Sequence, residues 1–306
     1  MPNVLVTGAS GSIGTAICRR LMESYSRVVA QGRKLPTKGI GHRQVATGPF
    51  HGALDWGEAL KDVDYVVHGA ALTWIDEGNQ ANALADFRRV NVEATAALIR
   101  DAAKAGVKRI VYLSSMTVHG GYAGKPFRYD DTIRPESPYA QSKAEAEEIL
   151  REGAEKFGVE IVILRLPLVV GPEYSGNMAK LAALVRRGVP LPFGAIRTNR
   201  RCQLARENLL QAIELALKVH DAAGRIFLVS DGKPQSTREM VEEIGRRMRR
   251  EPRFFPIPPW ALRALVLLMP RAMLGKLSRQ AMARELVGDY EIDICETRDV
   301  LGYRPQ

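Results

Sequence analysis

Cysteine is scarce in this chain of 306 residues. The three cysteines, Cys18, Cys202 and Cys295, are odd in number and far apart, so they predict neither a disulfide framework nor a cysteine-based metal site. None of the five histidines has a metal-ligand spacing either. We therefore expect a protein without a metal site that works in a reducing compartment, the cytoplasm.

A long hydrophobic run is also missing. The most apolar stretch of the second half, Trp260 to Met269, contains Arg263 and is far shorter than the roughly 20 residues that a membrane-spanning helix needs. We interpret it as a packed helix, with contact to a membrane surface as the alternative. The start, "MPNVLVTGAS", lacks a charged lead followed by an apolar segment, and it favours a first strand over a signal peptide.

Acidic residues are outnumbered, because 34 Asp and Glu accompany 44 Lys and Arg and leave a net charge of +10. The arginines concentrate between residues 186 and 206 and between residues 238 and 253. Neither stretch has the aromatic-and-basic interleaving or the zinc spacing of a nucleic-acid-binding module. We expect most of these arginines to be solvated, with no nucleic-acid partner, and one or two of them to bind a small anion such as a diphosphate.

Short strand-like runs alternate with helical segments from residue 1 to about residue 170. The predicted strands are "NVLVTG", "RVVAQG", "RQVAT", "DYVVHGA", "RIVYLSS" and "EIVILRL", and the predicted helices are Ile13 to Ser24, Trp56 to Leu60, Ala81 to Ala105 and Pro138 to Phe157. This alternation predicts an α/β fold, a Rossmann-type doubly wound parallel sheet. Residues 171–306 are richer in Pro, Gly and Arg and predict a smaller lobe, from which "RIFLVSDG" returns as a further strand.

The glycines of "VLVTGASGSIGTAICRRL" follow the first predicted strand and open a helix. Glycine at these positions lets the chain turn sharply and lets its backbone approach a pyrophosphate, which rests on the amides at the start of the helix. The spacing G-x-x-G-x-x-G, with a strand before and a helix after, predicts a dinucleotide site. Its predicted cofactor-binding residues are Gly8, Ser10, Gly11, Ser12, Ile13 and Gly14.

The end of the second predicted strand indicates which dinucleotide is bound. An acid about 20 residues beyond the glycines usually holds a free ribose 2′-hydroxyl, whereas a 2′-phosphate needs a cation. Here the strand ends in Gly32, followed by Arg33 and Lys34. We therefore favour NADP over NAD, with Arg33 as a plain loop cation in the alternative interpretation.

Two further segments combine a serine, a tyrosine and a lysine. The strand in "RIVYLSSMTVHG" ends in Ser114 and Ser115, at the edge of a parallel sheet where ligands bind. The helix that begins in "SPYAQSK" carries Tyr139 and Lys143 four residues apart, on one face. A nearby ammonium would favour the phenolate of a tyrosine. We predict a proton relay made of these hydroxyls and this ammonium, although Tyr-x-x-x-Lys alone is equally typical of a capped helix start.

The whole chain resembles the extended short-chain dehydrogenase/reductases, the NAD-dependent epimerase/dehydratase family of nucleotide-sugar enzymes. The motifs "TGASGSIG", "VDYVVHGAA", "RVNVEAT", "LSSMTVHG", "YAQSK" and "LRLPLVVGP" follow in the order expected for this family. Two later segments, "GNMAKLAALVRRGVPLPFGAIRTNRR" and "FLVSDGKPQSTREM", look like those of the bacterial polysaccharide subgroup of UDP-sugar 4-epimerases and 4-ketoreductases. In this resemblance residues 1–170 are the NAD(P)-binding domain, and residues 171–306 are mainly the nucleotide-sugar-binding lobe.

The resemblance implies roles for individual residues. Tyr139 is the acid/base, Lys143 holds the ribose and lowers the pKa of the phenol, and Ser115 binds the substrate oxygen. Further cofactor contacts are implied for Ala70, Asn91 and Pro167, of which Asn91 orders the surroundings of the lysine and Pro167 flanks the nicotinamide.

The resemblance also implies substrate contacts in the smaller lobe. Asn177 and Arg201 correspond to positions that bind the nucleotide diphosphate, and Phe193 lies near the uracil. Their alternatives are a helix cap, a surface cation and a loop anchor. His119 departs from the family, which often has tyrosine there, and we interpret His68 as a packing residue.

We therefore expect an NAD(P)-dependent enzyme that acts at C4 of a UDP-hexose in polysaccharide synthesis. The first choice is reduction of a UDP-4-keto-6-deoxy-N-acetylhexosamine, and the second is 4-epimerisation of UDP-glucose or UDP-N-acetylglucosamine. An NADP-sensing regulator is the rival without catalysis. A homodimer built from the helices around 81–105 and 138–157 is expected from the resemblance.

Overall fold

A parallel β-sheet of seven strands organises the computed structural model, which describes residues 2–35, 39–48, 54–73, 82–121, 124–172, 174, 176–268 and 279–306. The strands are β1 (Asn3–Thr7), β2 (Arg27–Gly32), β3 (Arg43–Ala46), β4 (Tyr65–His68), β5 (Arg109–Ser115), β6 (Glu160–Leu166) and β9 (Ile226–Leu228). Their order is β3-β2-β1-β4-β5-β6-β9, and every neighbouring pair is parallel. The predicted α/β fold is confirmed.

The order of the strands reverses at β1, so chain connections leave β1 and β4 toward opposite sides. In such sheets the crevice at the carboxyl ends of the strands is where ligands bind. Valine, isoleucine and leucine dominate the central strands because helices cover both faces. Two buried apolar clusters result, one on each face, around Val4, Val6 and Val111 and around Leu5, Val66 and Ile110.

Helices cover the sheet and build the smaller lobe. They are α1 (Ser12–Leu21), α2 (Gly57–Leu60), α3 (Ala83–Phe87), α4 (Ala94–Lys104), α5 (Pro138–Phe157), α6 (Gly176–Arg186), α7 (Arg206–Lys218), α8 (Thr237–Arg247), α9 (Pro259–Leu268), α10 (Arg279–Val287) and α11 (Cys295–Leu301). Within the described ranges no helix has the length and apolar character to cross a bilayer.

The prediction of one regular helix from residue 81 to residue 105 is wrong in one detail, because the helical geometry changes in its middle. Between α3 and α4 the chain makes a π-helical segment, Arg88–Glu93. A π turn inserts an extra residue into the helical ladder, and such turns are frequent at functional sites. Here it carries Asn91, whose side chain is buried and hydrogen-bonded to the loop that follows β4.

The C-terminal half contributes to two cores. Helix α7, strand β9 and helix α11 pack into the apolar cluster of the sheet. A third cluster lies in the smaller lobe, between α6, α8, α9 and α10. The short strands β7 (Val169–Val170) and β8 (Leu204–Ala205) pair next to this lobe. A domain boundary at residue 170 stays a prediction.

Candidate active site

The loop between β1 and α1 is folded so tightly that two of its glycines are needed. Gly8 has φ of +71°, in the left-handed region, and a Cβ on it would lie 2.8 Å from the Cα of Ala70. A Cβ on Gly14 would lie 2.2 Å from the carbonyl oxygen of Gly8. Because real Cβ atoms do not approach other atoms so closely, any side chain here would open the loop.

The same loop leaves the start of α1 open to a ligand. Gly11 is the N-cap residue, and no side chain caps the first turn by a hydrogen bond. The free amides at the start of a helix attract anions, phosphates above all. Ser10, Gly11 and Ser12 are exposed, and Ile13 packs against the sheet core. The loop therefore fits the pyrophosphate of a dinucleotide.

Strand β2 ends beside this loop. A Cβ on Gly32 would lie 3.1 Å from Oγ of Ser10, so the end of β2 and the glycine loop are in close contact. Arg33 follows directly and is exposed. It lies at the edge of the sheet that the adenosine half of a dinucleotide uses in folds of this topology. Recognition of a 2′-phosphate by Arg33 stays a prediction.

His68 holds the ends of β1 and β4 together. Its Nδ1 lies 2.7 Å from Oγ1 of Thr7, and its Nε2 lies 2.9 Å from Oγ1 of Thr95. Since Thr95 donates its own proton to the carbonyl of Asn91, it accepts from Nε2–H of the histidine. Burial, with a contribution from the charge of Lys143, lowers the pKa of His68 to about 3. The structure thus makes His68 a neutral packing residue.

Asn91 connects the loop after β4 to helix α5. Its Oδ1 accepts a hydrogen bond from the amide of Leu72 (2.7 Å), and its Nδ2 donates to the carbonyl of Leu72 (2.9 Å) and to Oγ of Ser142 (3.0 Å). Ser142 in turn donates to the carbonyl of Tyr139. Asn91 therefore touches the residue directly before Lys143, and the amide fixes the first turn of α5.

Helix α5 starts as the sequence suggested, with a cap as well as a candidate proton donor. Ser137 is the N-cap and accepts from the amide of Ala140, and Pro138 occupies the first turn. Tyr139 packs edge-on against Phe87, at 5.8 Å between the ring centres. The capped helix start and the catalytic interpretation are thus compatible.

Ser115 and Tyr139 lie close enough for their hydroxyl groups to interact. Burial raises the pKa of Tyr139, and the hydrogen bond with Ser115 acts in the opposite direction. Oγ of Ser115 accepts from the amide of Thr117 (3.2 Å) and from Oγ1 of Thr117 (2.9 Å). Because two donors already occupy the lone pairs of this oxygen, the serine proton is left to be donated toward the tyrosine or a substrate oxygen.

Lys143 is buried one turn further along α5. Its Nζ donates to the carbonyl of Leu113 at 2.7 Å and lies 4.0 Å from the ring centre of Tyr112. Burial lowers the pKa of Lys143 to about 7, and the carboxylate of Glu147 acts in the opposite direction. The ammonium thus stands near its point of deprotonation. The lowering of the tyrosine pKa by Lys143 stays a prediction for the cofactor complex.

A buried ion pair lies one turn beyond the lysine. Glu147 accepts from Nε (3.1 Å) and Nη2 (2.7 Å) of Arg165, a residue of β6 that is 2% exposed. Ser114 donates its hydroxyl to the same carboxylate. Two strands and one helix therefore meet at a single carboxylate, directly behind Ser115 and Lys143.

His119 completes this cluster from the other side. Nη1 of Arg165 lies 2.9 Å from Nε2 of His119. Since arginine cannot accept, Nε2 is the acceptor and the ring proton is on Nδ1. Burial and the charge of Arg165 lower the pKa of His119 to about 4. The imidazole replaces a residue that the resemblance expected to be tyrosine, and it does so as a neutral acceptor.

The predicted substrate residues are spread over the smaller lobe. Phe193 is buried in its core cluster. Arg201 pairs through its backbone with Gln235, and its guanidinium donates to the carbonyl of Arg284 at 3.2 Å. Asn177 lies in α6, and its side chain is outside the described residues. Pro167 directly follows β6, at the ligand-binding edge. These four roles stay predictions.

Three residues of the site were missed by the sequence reasoning: Thr117, Glu147 and Arg165. Glu147 is four residues beyond Lys143 and thus on the same face of α5. Arg165 is a charge inside the apolar strand "EIVILRL", which itself signals a buried partner. Thr117 gave a weaker signal, since its contact with Ser115 depends on the 3₁₀ turn Met116–His119.

The NAD dependent epimerase/dehydratase family matches residues 4–229 of the chain. The chain belongs to this family. It is thus an NAD(P)-dependent enzyme of nucleotide-sugar chemistry, as its glycine loop and its Ser-Tyr-Lys set indicate, and the predicted family is confirmed.

Two relatives and one solved structure are similar to this enzyme over most of its sequence. A UDP-glucose 4-epimerase of Vibrio cholerae is 32% identical over 306 residues, which cover 99% of this chain and 90% of the relative. The N-acetyl-alpha-D-glucosaminyl-diphospho-ditrans,octacis-undecaprenol 4-epimerase of Escherichia coli O157:H7 is 28% identical over 81% of this chain and 73% of its own. The solved structure of MoeE5 with UDP-glucuronic acid and NAD is 27% identical and covers 99% of this chain and 94% of its own, with a TM-score of 0.76.

Proposed function

We propose that the enzyme interconverts the two configurations at C4 of a UDP-hexose. The observation that carries this proposal is the close approach of Ser115 and Tyr139 at the carboxyl edge of the sheet. Such a pair is placed to exchange a proton with a carbinol oxygen of a substrate. Support for the C4 position comes from the relative in Vibrio cholerae, a UDP-glucose 4-epimerase similar to this enzyme over nearly its full length.

A bound nicotinamide cofactor supplies hydride exchange with the carbon whose hydroxyl group is being oxidised. Gly8, Gly11 and Gly14 form the cradle for its pyrophosphate. The phenolate of Tyr139 takes the proton of the C4 hydroxyl and returns it to the ketone oxygen when the configuration is reset. Ser115 donates its hydroxyl proton to the substrate oxygen, because its oxygen already accepts two hydrogen bonds from Thr117.

Lys143 acts on this proton transfer from behind. The positive charge of its ammonium favours the phenolate form of Tyr139. Because the pKa of Lys143 is about 7, the lysine itself can gain or lose a proton at neutral pH. Glu147 stabilises the charged form of the lysine, and Arg165 holds the carboxylate in place. In the smaller lobe we assign the diphosphate to Asn177 and Arg201 and the uracil to the neighbourhood of Phe193.

Reduction of a 4-keto sugar is the second candidate, and Arg33 favours it. An epimerase regenerates its cofactor in each cycle, whereas a reductase must exchange oxidised for reduced cofactor in every turnover. The cation at Arg33, with no acid at Gly32, suits exchangeable NADPH. The substrate in this case is a UDP-4-keto-6-deoxy-N-acetylhexosamine, used in surface polysaccharide synthesis in the cytoplasm.

Two parallel assays separate the candidates. The first offers UDP-glucose or UDP-N-acetylglucosamine without added reductant and follows the 4-epimer by NMR, and we expect steady epimer formation. The second offers the 4-keto sugar with NADPH and follows the loss of absorbance. Stoichiometric NADPH consumption with no epimer in the first tube would replace the epimerase by the reductase.

The cofactor preference is tested at Arg33. If Arg33 pairs with a 2′-phosphate, Arg33→Ala weakens NADPH binding by about 1–3 kcal/mol, the scale of a charge-assisted hydrogen bond. NADH binding stays unchanged, and Lys34→Ala serves as the matched control. Equal losses of both cofactors in calorimetry would contradict the assignment.

We also propose that the enzyme is a homodimer built from α3, α4 and α5. Helices α4 and α5 pack side by side and form one surface of the sheet domain. Light scattering of the purified enzyme measures the mass directly. A mass of a single chain at micromolar concentration would contradict the dimer.

A further inference from the structure

Helix α9 has an apolar face on each side. Leu262 and Val266 are buried in the core of the smaller lobe. A surface helix normally turns polar residues to the water on its opposite side. Here the opposite side carries Trp260, Ala264, Leu267 and Leu268, at the spacing i, i+4, i+7 and i+8.

The exposure of this outer face is large for apolar side chains. Trp260 is 75% exposed and Leu268 is 81% exposed. Leu265, on the flank, is half exposed. We call the side chains of Trp260, Leu265, Leu267 and Leu268 the α9 face. Isolated apolar residues on a surface are ordinary, but a contiguous group on one helix marks a contact with another apolar phase.

The sequence that contains helix α9 is basic. From Pro252 to Arg284 the sequence contains six basic residues and no Asp or Glu. Among the described residues of this stretch, Arg253 and Arg263 are exposed, and Arg263 is one helical turn from Trp260. Arginine at such a place extends its charged end to the headgroups while its stem covers apolar surface.

We propose that the α9 face docks this enzyme on the surface of an anionic lipid bilayer. Tryptophan and leucine on one side of a helix, flanked by basic residues, enter the boundary between headgroups and acyl chains. Tryptophan prefers that depth because its ring is apolar and its N–H is polar. Each arginine adds attraction to acidic headgroups.

The charge argues for a bilayer and against a second copy of this chain. In a symmetric dimer the same patch faces itself, so the basic residues around α9 would be placed against each other. Arg263, one turn from Trp260, would then face its own copy, and no acidic residue stands beside it on α9. Anionic headgroups supply the missing charge. This proposal does not depend on the reaction at C4.

The test is flotation of the full-length enzyme with two kinds of vesicle. One kind contains equal parts of phosphatidylglycerol and phosphatidylcholine, and the other contains phosphatidylcholine alone. We expect binding to the first kind, with weaker binding to the second and at high salt. Binding also shifts the tryptophan emission to the blue, since Trp260 leaves water while Trp56 is already buried.

Three variants separate the two contributions. The double change Trp260→Ser with Leu268→Ser removes apolar surface and lowers binding by about tenfold or more. Arg263→Glu lowers binding to the anionic vesicles by about fivefold or more. Phe157→Ser is the matched control, because its ring is also exposed but lies on α5, and it leaves binding unchanged.

All three variants keep the turnover of the wild type with a UDP-sugar in solution, which shows that they fold. Absence of wild-type binding to either kind of vesicle would overturn the proposal, and so would equal binding of the wild type and the double variant. A dimer that dissociates in the double variant, measured by light scattering, would assign the α9 face to a second copy instead.

Discussion

Helices α5 and α9 distribute polar and apolar side chains in opposite ways. On α5, Lys143 and Glu147 point into the protein, where Leu113, Ser114 and Arg165 pair with them. On α9 the outward side is apolar. Burying a charge is unfavourable unless it is paired, and exposing leucine to water is unfavourable unless a partner covers it. The charges on α5 meet this condition through their partners, whereas the exposed leucines of α9 do not.

The two helices also differ in whether their unusual side chains have partners in the described structure. The α5 cluster, which is Lys143 with Glu147 and Arg165, has its partners among the described residues, because its ammonium, carboxylate and guanidinium are each hydrogen-bonded. Among the described residues, no apolar side chains cover the α9 face, and its side chains stay exposed. We expect changes in the α5 cluster to act on turnover and folding, and changes in the α9 face to act on association.

The largest effect is expected at Tyr139. Tyr139→Phe keeps the ring and the contact with Phe87 but removes the hydroxyl that meets Ser115. General acid/base groups contribute about 10²–10⁴-fold in rate, so turnover of the UDP-sugar should fall by this factor. Calorimetry should find cofactor affinity preserved. Turnover close to the wild type would reduce Tyr-x-x-x-Lys to a helix start.

The next effect concerns the buried ion pair. Glu147→Ala leaves Arg165 charged and buried without its carboxylate, which should lower the free energy of unfolding by about 3–5 kcal/mol. Glu148→Ala is the matched control on the same helix: its side chain is 61% exposed beside Arg151, so its loss should stay within about 0.5 kcal/mol. Urea unfolding measures both values. Equal losses would contradict the special place of Glu147.

A smaller effect, of opposite sign, is expected at Lys143. The folded-state pKa of about 7 lies below the ordinary lysine value of 10.5, so burial of this ammonium reduces stability at neutral pH. Lys143→Met should raise the free energy of unfolding by about 1–3 kcal/mol at pH 7 while turnover is lost.

The pH dependence provides the check on this interpretation. Between pH 7 and pH 10.5 the unfolded chain holds the lysine proton more firmly than the folded chain, so the stability of the wild type gains from this group as the pH rises. The advantage of Lys143→Met should shrink over the same range. An advantage that stays constant with pH would mean that packing, and not charge, explains it.

The smallest effect is expected on the outer side of α9. Leu267→Gln should lower the free energy of unfolding by no more than about 1 kcal/mol, because its side chain is 39% exposed and only partly packed. Leu262→Ala, on the inner side of the same helix, should cost about 2–5 kcal/mol. Thermal unfolding of both variants compares the two sides. A large loss for Leu267→Gln would place this leucine in the core and weaken the docking proposal.

The sequence predicted local features well wherever the signal was local. The alternation of apolar runs predicted the strands of the sheet, and the glycine spacing predicted a loop whose tightness at Gly8 and Gly14 the structure explains. The four-residue spacing of Tyr139 and Lys143 predicted their common face. The π-helical segment at Arg88–Glu93 was missed, because its local sequence is as compatible with a regular helix.

The sequence by itself determined the parallel sheet, the anion-binding start of α1 and the hydroxyl groups at the end of β5. These features follow from the periodicity of apolar residues and from neighbours along the chain. Tertiary structure alone decided which residues, distant in the sequence, pair with the same buried charge. Glu147 meets Ser114, 33 residues away, and Arg165, 18 residues away, because β5, β6 and α5 pack together. It also decided that Leu262 lies inside and Leu267 outside, because helical periodicity separates two faces of α9 but does not say which one meets the core.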